Sequence, residues 1–268
     1  MQVRRALFSA EGQEFGDIHL GNLLLSLGGA DLFEESVQLD MHKIDDKLAK
    51  VTERIHQAAI LAGRDPQTVQ LIAVSKTQPP AAIAEAYAWG QRRFGENYLQ
   101  EALDKQQALH ALDDLQWHFI GPIQSNKTRL IAAHFAWVHS VDRLRIAQRL
   151  NDQRPEGLPP LEICIQVNID DEDTKSGVNL AELPALALAI QPLKRLRLRG
   201  LMAIPVATSD TQQQRASFSR LRLAVAALNR QGLALDTLSM GMSGDLEAAI
   251  AEGATFVRVG TDIFGARQ

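Results

Sequence analysis

The residues that could do chemistry together are far apart in the sequence. They are a lysine and the residues of two turns rich in small side chains. Lys76 follows the apolar run 71–74, and the turns lie in Leu238–Asp245 and Val257–Thr261. Backbone N–H groups in such turns bind phosphate. An amine and a phosphate cradle on one fold indicate a phosphorylated aldehyde held as a Schiff base. Pyridoxal 5′-phosphate (PLP) is the common ligand of that kind.

Lys76 is the candidate nucleophile. A free lysine has a pKa of about 10.4, and its amine must lose a proton before it attacks an aldehyde. The site must therefore lower that pKa by desolvation or by nearby cations. A lysine between Ser75 and Thr77 at a strand end is poorly placed for a purely solvated role.

The two turns supply the candidate phosphate ligands. Ser243 is predicted to begin a helix, where it offers a hydroxyl and an N–H group as an N-cap residue does. Gly260 and Thr261 offer further N–H groups and a second hydroxyl. A helix cap and a tight turn without a ligand are the purely structural alternative.

Arg258 lies in an otherwise apolar strand, where a permanent charge needs a partner. The ring nitrogen of PLP is one candidate. A guanidinium there keeps its proton, so the pyridine nitrogen would remain unprotonated and the ring would be a weaker electron sink. An internal ion pair with Glu247 or Asp245 is the alternative.

Short apolar strands alternate with helical patterns after residue 41. The predicted strands are Val69–Ser75, Arg93–Gly95, Gln116–Ile120, Trp137–Ser140, Leu161–Asn168, Leu196–Ile204, Thr237–Met240 and Thr255–Val259. Helices are predicted over 80–89, 97–110, 125–134, 142–153, 180–190, 210–231 and 244–252. This pattern predicts a parallel sheet covered on both faces, and eight units suit a closed (β/α)8 TIM barrel. A doubly wound open sheet is the alternative.

Residues 1–40 differ from the rest of the chain. They carry two arginines and seven acidic residues and contain no sustained apolar stretch, which argues against a secretory signal or a transit peptide. An amphipathic helix is predicted from Met41, with apolar positions from Ile44 to Leu61. We expect 1–40 to be a poorly ordered extension, or translation to begin at Met41; an ordered arm is the alternative. Residues 41–268 are the predicted barrel domain.

Composition excludes several classes of protein. The formal net charge of −4 does not favour nucleic acid or an anionic membrane, and no apolar run is long enough to span a bilayer. The single cysteine, Cys164, lies in an apolar strand and fits a reducing compartment. The seven histidines are scattered without metal-ligand spacing. The segment Gly121–Thr128 approaches a nucleotide-binding loop, but Asn126 stands where the second glycine belongs.

Seven ordered motifs together resemble the pyridoxal phosphate homeostasis protein family, which shares the barrel of the alanine racemase N-terminal domain. The resemblance covers roughly residues 42–267. Its matching stretches are Ala73–Lys76, Phe94–Tyr98, Trp117–Gly121 with Gln124–Lys127, Lys175–Gly177, Arg199–Ile204, Ser239–Ser243 with Asp245, and Val257–Thr261 with Ile263–Gly265. Residues 1–40 match nothing in the family pattern.

The resemblance implies a role for each site residue. Lys76 would form the internal aldimine with PLP, and Arg258 would face the ring nitrogen. The phosphate would be held by Ser243, Gly260 and Thr261. The pocket would be lined by Asn97, Asn168, Met202 and Ser239.

The resemblance also implies a cytoplasmic PLP carrier without firm catalytic activity, which buffers PLP and hands it to apo forms of PLP-dependent enzymes. Alanine racemases continue into a second, β-rich domain that supplies an opposing base, whereas this chain stops soon after Val259. A barrel without that domain favours a monomer. The alternatives are a PLP-dependent amino-acid racemase or lyase, and an aldolase that uses a lysine Schiff base without PLP.

Overall fold

The structure is a computed structural model. It describes the backbone of residues 34–172 and 175–265, and the side chains within those ranges from residue 44 onward. Contacts divide the chain into two compact units, Met1–Asp40 and Met41–Gln268. Residues 1–33 lie outside the described part, so the expectation of a poorly ordered extension stays a prediction.

The first helix, α1 (Glu34–Leu61), precedes the alternating part of the chain. It begins at Glu34 and not at Met41, where we predicted its start. The apolar periodicity begins only at Ile44, whereas 34–40 is mostly polar; its glutamates and glutamine favour helix without giving a periodic signal. Leu48, Val51 and Ile55 are buried at helical spacing, so this face of α1 packs into the core.

Eight parallel strands follow and close into a barrel. They are β1 (Gln70–Val74), β2 (Arg93–Glu96), β3 (Gln116–Phe119), β4 (Trp137–Val141), β5 (Leu161–Val167), β6 (Leu196–Ala203), β7 (Thr237–Ser239) and β8 (Phe256–Val259). Strand β1 pairs with β8 from Gln70 opposite Phe256 to Ala73 opposite Val259. This pairing closes the sheet, confirms the predicted (β/α)8 barrel and rules out the open doubly wound alternative.

A helix follows every strand. These are α2 (Pro80–Ala88), α3 (Leu99–Ala108), α4 (Thr128–His134), α5 (Leu144–Gln153), α6 (Leu183–Ile190), α7 (Thr211–Arg230), α8 (Leu246–Ala251) and α9 (Thr261–Phe264). A one-turn 3-10 helix, Pro66–Thr68, joins α1 to β1. Each predicted helix is present, but most begin one to three residues later than predicted, because polar residues that favour caps and turns, such as Asn97, Asp142 and Asp245, precede the first helical residue.

One close approach between strands depends on glycine. The register of β5 against β6 shifts between Ile163 and Cys164, next to Gly200. A Cβ atom at Gly200 would lie 1.8 Å from the carbonyl oxygen of Thr237 on β7. Because that distance is far below van der Waals contact, β6 can meet β7 here only with glycine.

The barrel ends supply the geometry that a site needs. In parallel strands all carboxyl ends lie on one face, so Lys76, Asn97, Asn168 and the segments after β7 and β8 meet at the same mouth. Within the described part of the chain, none of the helices has the length and apolar character needed to cross a bilayer.

Candidate functional site

The backbone around Lys76 is held by a buried charged cluster. Lys105 on α3 donates from Nζ to the Ser75 carbonyl oxygen over 2.7 Å and to Glu96 Oε1 over 2.8 Å. Ser75 Oγ donates to the same Glu96 oxygen over 2.6 Å. Glu101 accepts from Lys105 and from the N–H of Thr77. The residues before and after the candidate amine are therefore both fixed.

Thr77 adopts φ +64°, which is unusual for a threonine. The bond from its N–H to Glu101 helps to hold this conformation. Burial raises the pKa of Glu96, while its bonds to Lys105 and Ser75 act in the opposite direction. Sequence reasoning missed this cluster. The i,i+4 spacing of Glu101 and Lys105, and the position of Glu96 at a strand end, are the signals that could have found it.

Arg258 lies inside the barrel and is buried. Its guanidinium donates to Ser239 Oγ over 2.8 Å and to the Ala203 carbonyl oxygen over 3.0 Å, which joins β8 to β7 and β6. Burial lowers the pKa of Arg258 to about 10, so the group stays charged at neutral pH. Among the described residues it forms no ion pair with Glu247 or Asp245; Asp245 only favours its charged form at longer range.

Two buried histidines continue this polar chain across the barrel. Nδ1 of His139 lies 2.8 Å from Ser239 Oγ, and its Nε2 lies 2.9 Å from His118 Nδ1. Burial lowers the pKa of His118 to about 3 and that of His139 well below its usual value. Both rings are therefore neutral. Both histidines fall within predicted strands, Gln116–Ile120 and Trp137–Ser140, but the sequence does not reveal the contact between β4 and β7.

The turn after β7 carries Ser243. The Asp245 side chain accepts from the N–H of Met242 over 2.6 Å, and the Asp245 N–H donates to the Met242 carbonyl over 3.1 Å, so residues 242–245 form a compact turn. The prediction that Ser243 begins a helix is wrong: α8 begins at Leu246 and its N-cap is Asp245. The side chain of Asp245 closes the turn, which delays the helix.

The turn after β8 carries Gly260 and Thr261. Gly260 precedes the four-residue helix α9, of which Thr261 is the first residue. A Cβ atom at Gly260 would lie 3.1 Å from the Val74 carbonyl oxygen and 3.2 Å from Val74 Cβ. Val74 ends β1 two residues before Lys76. Lys76 and one predicted phosphate turn therefore follow neighbouring strands, β1 and β8. The backbone of the turn at Gly260 lies close to that of Val74.

Asn97 has an unsatisfied polar atom at the barrel mouth. Its Oδ1 is buried and has no hydrogen-bond partner among the described residues. A Cβ atom at Gly121 would lie 2.2 Å from the Asn97 carbonyl oxygen, so the β3 loop lies directly against it. A buried amide oxygen without a donor is costly unless a ligand or water supplies one.

Two other predicted lining residues are engaged with the protein itself. Asn168 donates from its amide to the Glu172 carbonyl oxygen over 2.8 Å and accepts from the Glu172 N–H over 3.2 Å. It therefore shapes the loop after β5. Met202 is fully buried on β6, where it pairs in register with Ser239. Their contacts with PLP stay predictions.

These residues fit PLP. The mouth combines a lysine, two turns of small residues, of which Gly260 lies close to the backbone of Val74, a buried arginine and the unsatisfied Oδ1 of Asn97. A planar phosphorylated aldehyde needs a nucleophile, an anion cradle and a group for its ring nitrogen. Cys164 is buried and its pKa is raised by burial, so it offers no competing nucleophile. No cluster of metal-binding side chains occurs among residues the structure describes.

The fold and site define a class of protein: a (β/α)8 barrel with a lysine after β1 and turns of small residues after β7 and β8. The family model of the alanine racemase N-terminal domain matches residues 47–268. The chain is 64% identical over 228 residues to the pyridoxal phosphate homeostasis protein of Pseudomonas aeruginosa. The aligned region covers 85% of this chain and 97% of that protein. This chain belongs to the pyridoxal phosphate homeostasis protein family.

Two further comparisons agree. The protein of the same name from Escherichia coli K12 is 56% identical over 230 residues, covering 85% of this chain and 98% of that protein. The structure of PipY from Synechococcus elongatus with PLP bound has a TM-score of 0.72 and 42% identity, covering 83% of this chain and all of PipY.

Proposed function

We propose that this protein binds PLP covalently on Lys76 and serves PLP homeostasis by holding the cofactor and releasing it. The observation that carries the proposal is the juxtaposition of Lys76 and the Gly260 turn on neighbouring strands, beside a buried arginine. The PLP-bound structure of PipY, at 42% identity, supports it. So do the names of relatives at 56% and 64% identity, which describe homeostasis proteins and mention no enzymatic activity.

The linkage requires only the chemistry of an amine and an aldehyde. The Lys76 nitrogen attacks the carbonyl carbon, a C–N bond forms, and loss of the carbonyl oxygen as water completes the imine. Water reverses the same step and returns free lysine and aldehyde. No oxidant, reductant or metal is consumed, so loading and release are set by the concentrations of protein and PLP.

The other site residues bind and orient. Ser243, Gly260 and Thr261 would donate to the phosphate, and Asn97 Oδ1 would gain a partner from the ligand or a water that it orders. Arg258 would donate to the pyridine nitrogen. Since its pKa of about 10 keeps it charged, the proton stays on the arginine. Bound PLP supplies an electron sink, and an unprotonated ring nitrogen makes that sink weaker. This electrostatic setting favours storage over turnover.

The proposal includes delivery. A reversible imine lets the protein buffer free PLP and pass it to apo forms of PLP-dependent enzymes in the cytoplasm, with the barrel acting as a monomer. Amino-acid racemisation or lyase activity is the alternative. It would appear as formation of the D-isomer or loss of substrate when the PLP-loaded protein is incubated with L-amino acids, above the level of a Lys76→Ala variant.

Borohydride reduction followed by peptide mass mapping tests the ligand, linkage and position together. The wild-type protein incubated with PLP should turn yellow and, after reduction, carry a pyridoxyl group on the peptide that contains Lys76. The Lys76→Ala variant should do neither. Lys194→Ala is the matched control, because this exposed lysine lies next to the amino end of β6, away from the mouth. Equal uptake by Lys76→Ala, or a label elsewhere, contradicts the proposal.

A further inference from the structure

The first helix lies outside the β/α repeat, yet it contacts both predicted phosphate turns through one residue. Arg54 on α1 donates from Nη2 to the Ser243 carbonyl oxygen over 3.0 Å and from Nη1 to Asp262 Oδ2 over 2.6 Å. Its Nε donates to Glu247 Oε1 over 3.0 Å. Ser243 belongs to the turn after β7, and Asp262 follows Thr261 in the turn after β8. A single guanidinium therefore joins the two turns.

The contact with Ser243 orients a backbone donor. A trans peptide is planar, so the N–H of Gly244 points opposite to the Ser243 carbonyl that Arg54 holds. With that carbonyl turned toward α1, the Gly244 N–H is turned away from α1. The turn residues 242–245 are already closed by Asp245, so Arg54 fixes the remaining freedom of this peptide plane.

The contact with Asp262 fixes the second turn. Asp262 is the second residue of α9, directly after the predicted phosphate ligands Gly260 and Thr261. A short helix of four residues has little stability of its own. Holding its first turn from outside therefore sets the direction of the backbone at Gly260 and Thr261.

The helix that carries Arg54 is itself anchored. Val51 and Ile55, three residues before and one residue after Arg54, are buried in the core. Arg64, just beyond the end of α1, donates to the Ile250 carbonyl oxygen of α8 over 2.8 Å. A guanidinium on a fixed helix can hold three acceptors at set positions, which a flexible ammonium cannot.

Charge gives a second reason for an arginine here. Glu247 and Asp262 place two carboxylates beside turns that would hold a phosphate dianion. Arg54 pairs with both. Its side chain is 37% exposed, so these ion pairs are screened and add little stability by themselves. Without Arg54, however, both carboxylates would face the anion uncompensated.

We propose that Arg54 is a positioning residue for the phosphate group, which makes the protein prefer the phosphorylated form of the vitamin B6 aldehyde to the unphosphorylated form. The proposal rests on the proposed function, because it takes PLP as the ligand. Arg54 does not touch the amine or the ring; it acts on the ligand through the turns of Ser243 and Gly260–Thr261.

The readout that separates positioning from a general structural role is the difference between two aldehydes. PLP and pyridoxal share the ring and the carbonyl and differ in the phosphate. General loosening of the barrel would weaken the binding of both. Loss of phosphate positioning would weaken PLP alone.

The experiment titrates wild-type protein and variants with PLP and with pyridoxal, following the visible absorbance of the imine. For Arg54→Gln we expect the Kd for PLP to rise about tenfold, the loss typical of a charge-assisted hydrogen bond, with a less than about twofold change for pyridoxal. Arg54→Lys keeps the charge without the planar fork and should also lose much of the PLP preference.

Arg92→Gln is the matched control. Arg92 is 34% exposed and likewise joins a carboxylate, Asp114, to a backbone carbonyl, that of Tyr87, but it directly precedes β2 at the other end of the barrel. Its substitution should leave both affinities unchanged. If Arg54→Gln is too unstable to titrate, Arg54→Lys alone decides.

Two results would overturn the inference: unchanged PLP affinity in both Arg54 variants, or equal weakening for PLP and pyridoxal. The proposed function fails in a different way. In that case the wild-type protein itself forms no imine with either aldehyde, or forms it equally well when Lys76 is replaced by alanine.

Discussion

At the scale of single residues, the site depends on how charged and polar groups are fixed in place. The Lys105–Glu96 pair holds the backbone on one side of Lys76, and Glu101 holds it on the other. The amine would therefore emerge from a backbone with little freedom. Arg258 is fixed from two strands in a similar way, so both ends of a bound ring would meet preorganised groups.

The polar chain that starts at Arg258 has a direction. Arginine can only donate, so Ser239 Oγ accepts from it. A cation orients neighbouring dipoles with their hydrogens away from it, so the Ser239 hydroxyl should donate to His139 Nδ1. His139 then carries its proton on Nε2 and donates to His118 Nδ1. The proton of His118 is left on Nε2, a buried atom without a partner in the described part of the chain.

We therefore predict that both His118 and His139 are neutral Nε2–H tautomers at pH 7. Long-range ¹⁵N–¹H correlation spectra of uniformly labelled protein distinguish the two tautomers by the shifts of the ring nitrogens. The exposed ring of His110 provides an internal comparison for the two buried rings. An Nδ1–H signal for His139 would show that Ser239 gives its proton elsewhere and would contradict the assignment.

At the scale of the elements, strands and helices were predicted well because each strand is a short apolar run bounded by polar or turn residues. Strand β1, for example, was predicted as Val69–Ser75 and spans Gln70–Val74. Such runs are typical of strands covered on both faces. The helix after β7 was placed two residues too early, since the side chain of Asp245 closes a turn that apolar periodicity does not report.

The site was predictable only in part. The positions of Lys76, Gly260 and Thr261 follow from the rule that parallel strands end on one face of a barrel. The Lys105–Glu96 pair, the contact of His139 with Ser239 and the bonds of Arg54 join residues on separate elements. These contacts depend on strand register and helix rotation, which a single sequence does not encode in any local pattern.

The approach of β6 to β7 at Gly200 can be tested directly. A Cβ atom would lie 1.8 Å from the Thr237 carbonyl oxygen, so Gly200→Ala must separate the strands or bend β6. We expect the free energy of unfolding, measured in urea, to fall by about 3 kcal/mol, the upper range for overpacking. Gly157→Ala is the control, because no atom lies within 4 Å of its added Cβ. Equal stability of the two variants would contradict this account of the strand contact.

At the scale of the whole molecule, the two buried histidines make stability depend on pH. In the unfolded chain each histidine binds a proton below its ordinary pKa of about 6.5. In the folded protein His118 stays neutral down to about pH 3, and the pKa of His139 is also lowered. The unfolded state therefore binds more protons between these values, and stability falls as the pH falls below about 6.5.

From pH 7.5 to 5.5 we predict a loss of about 1.4 kcal/mol of unfolding free energy per buried histidine. The raised pKa of Glu96 acts in the opposite direction, since the folded state holds that proton more tightly. Comparison of wild type with His118→Phe cancels the Glu96 contribution. Urea denaturation at the two pH values should show that histidine protonation lowers the unfolding free energy of the variant by about half as much as that of wild type. An equal pH dependence would contradict the assignment of His118 as a buried neutral ring.

Because β8 closes the barrel against β1, the two sides of the site are synthesised at different times. The strand that presents Lys76 leaves the ribosome early, whereas the turn at Gly260 that lies against Val74 is made among the last residues of the barrel. Pairing between such distant segments forms late in folding. A nascent polypeptide thus has its amine long before it has the predicted phosphate turn beside it. We therefore expect PLP to bind only after translation is complete, so a growing chain would not take up free PLP from the cell.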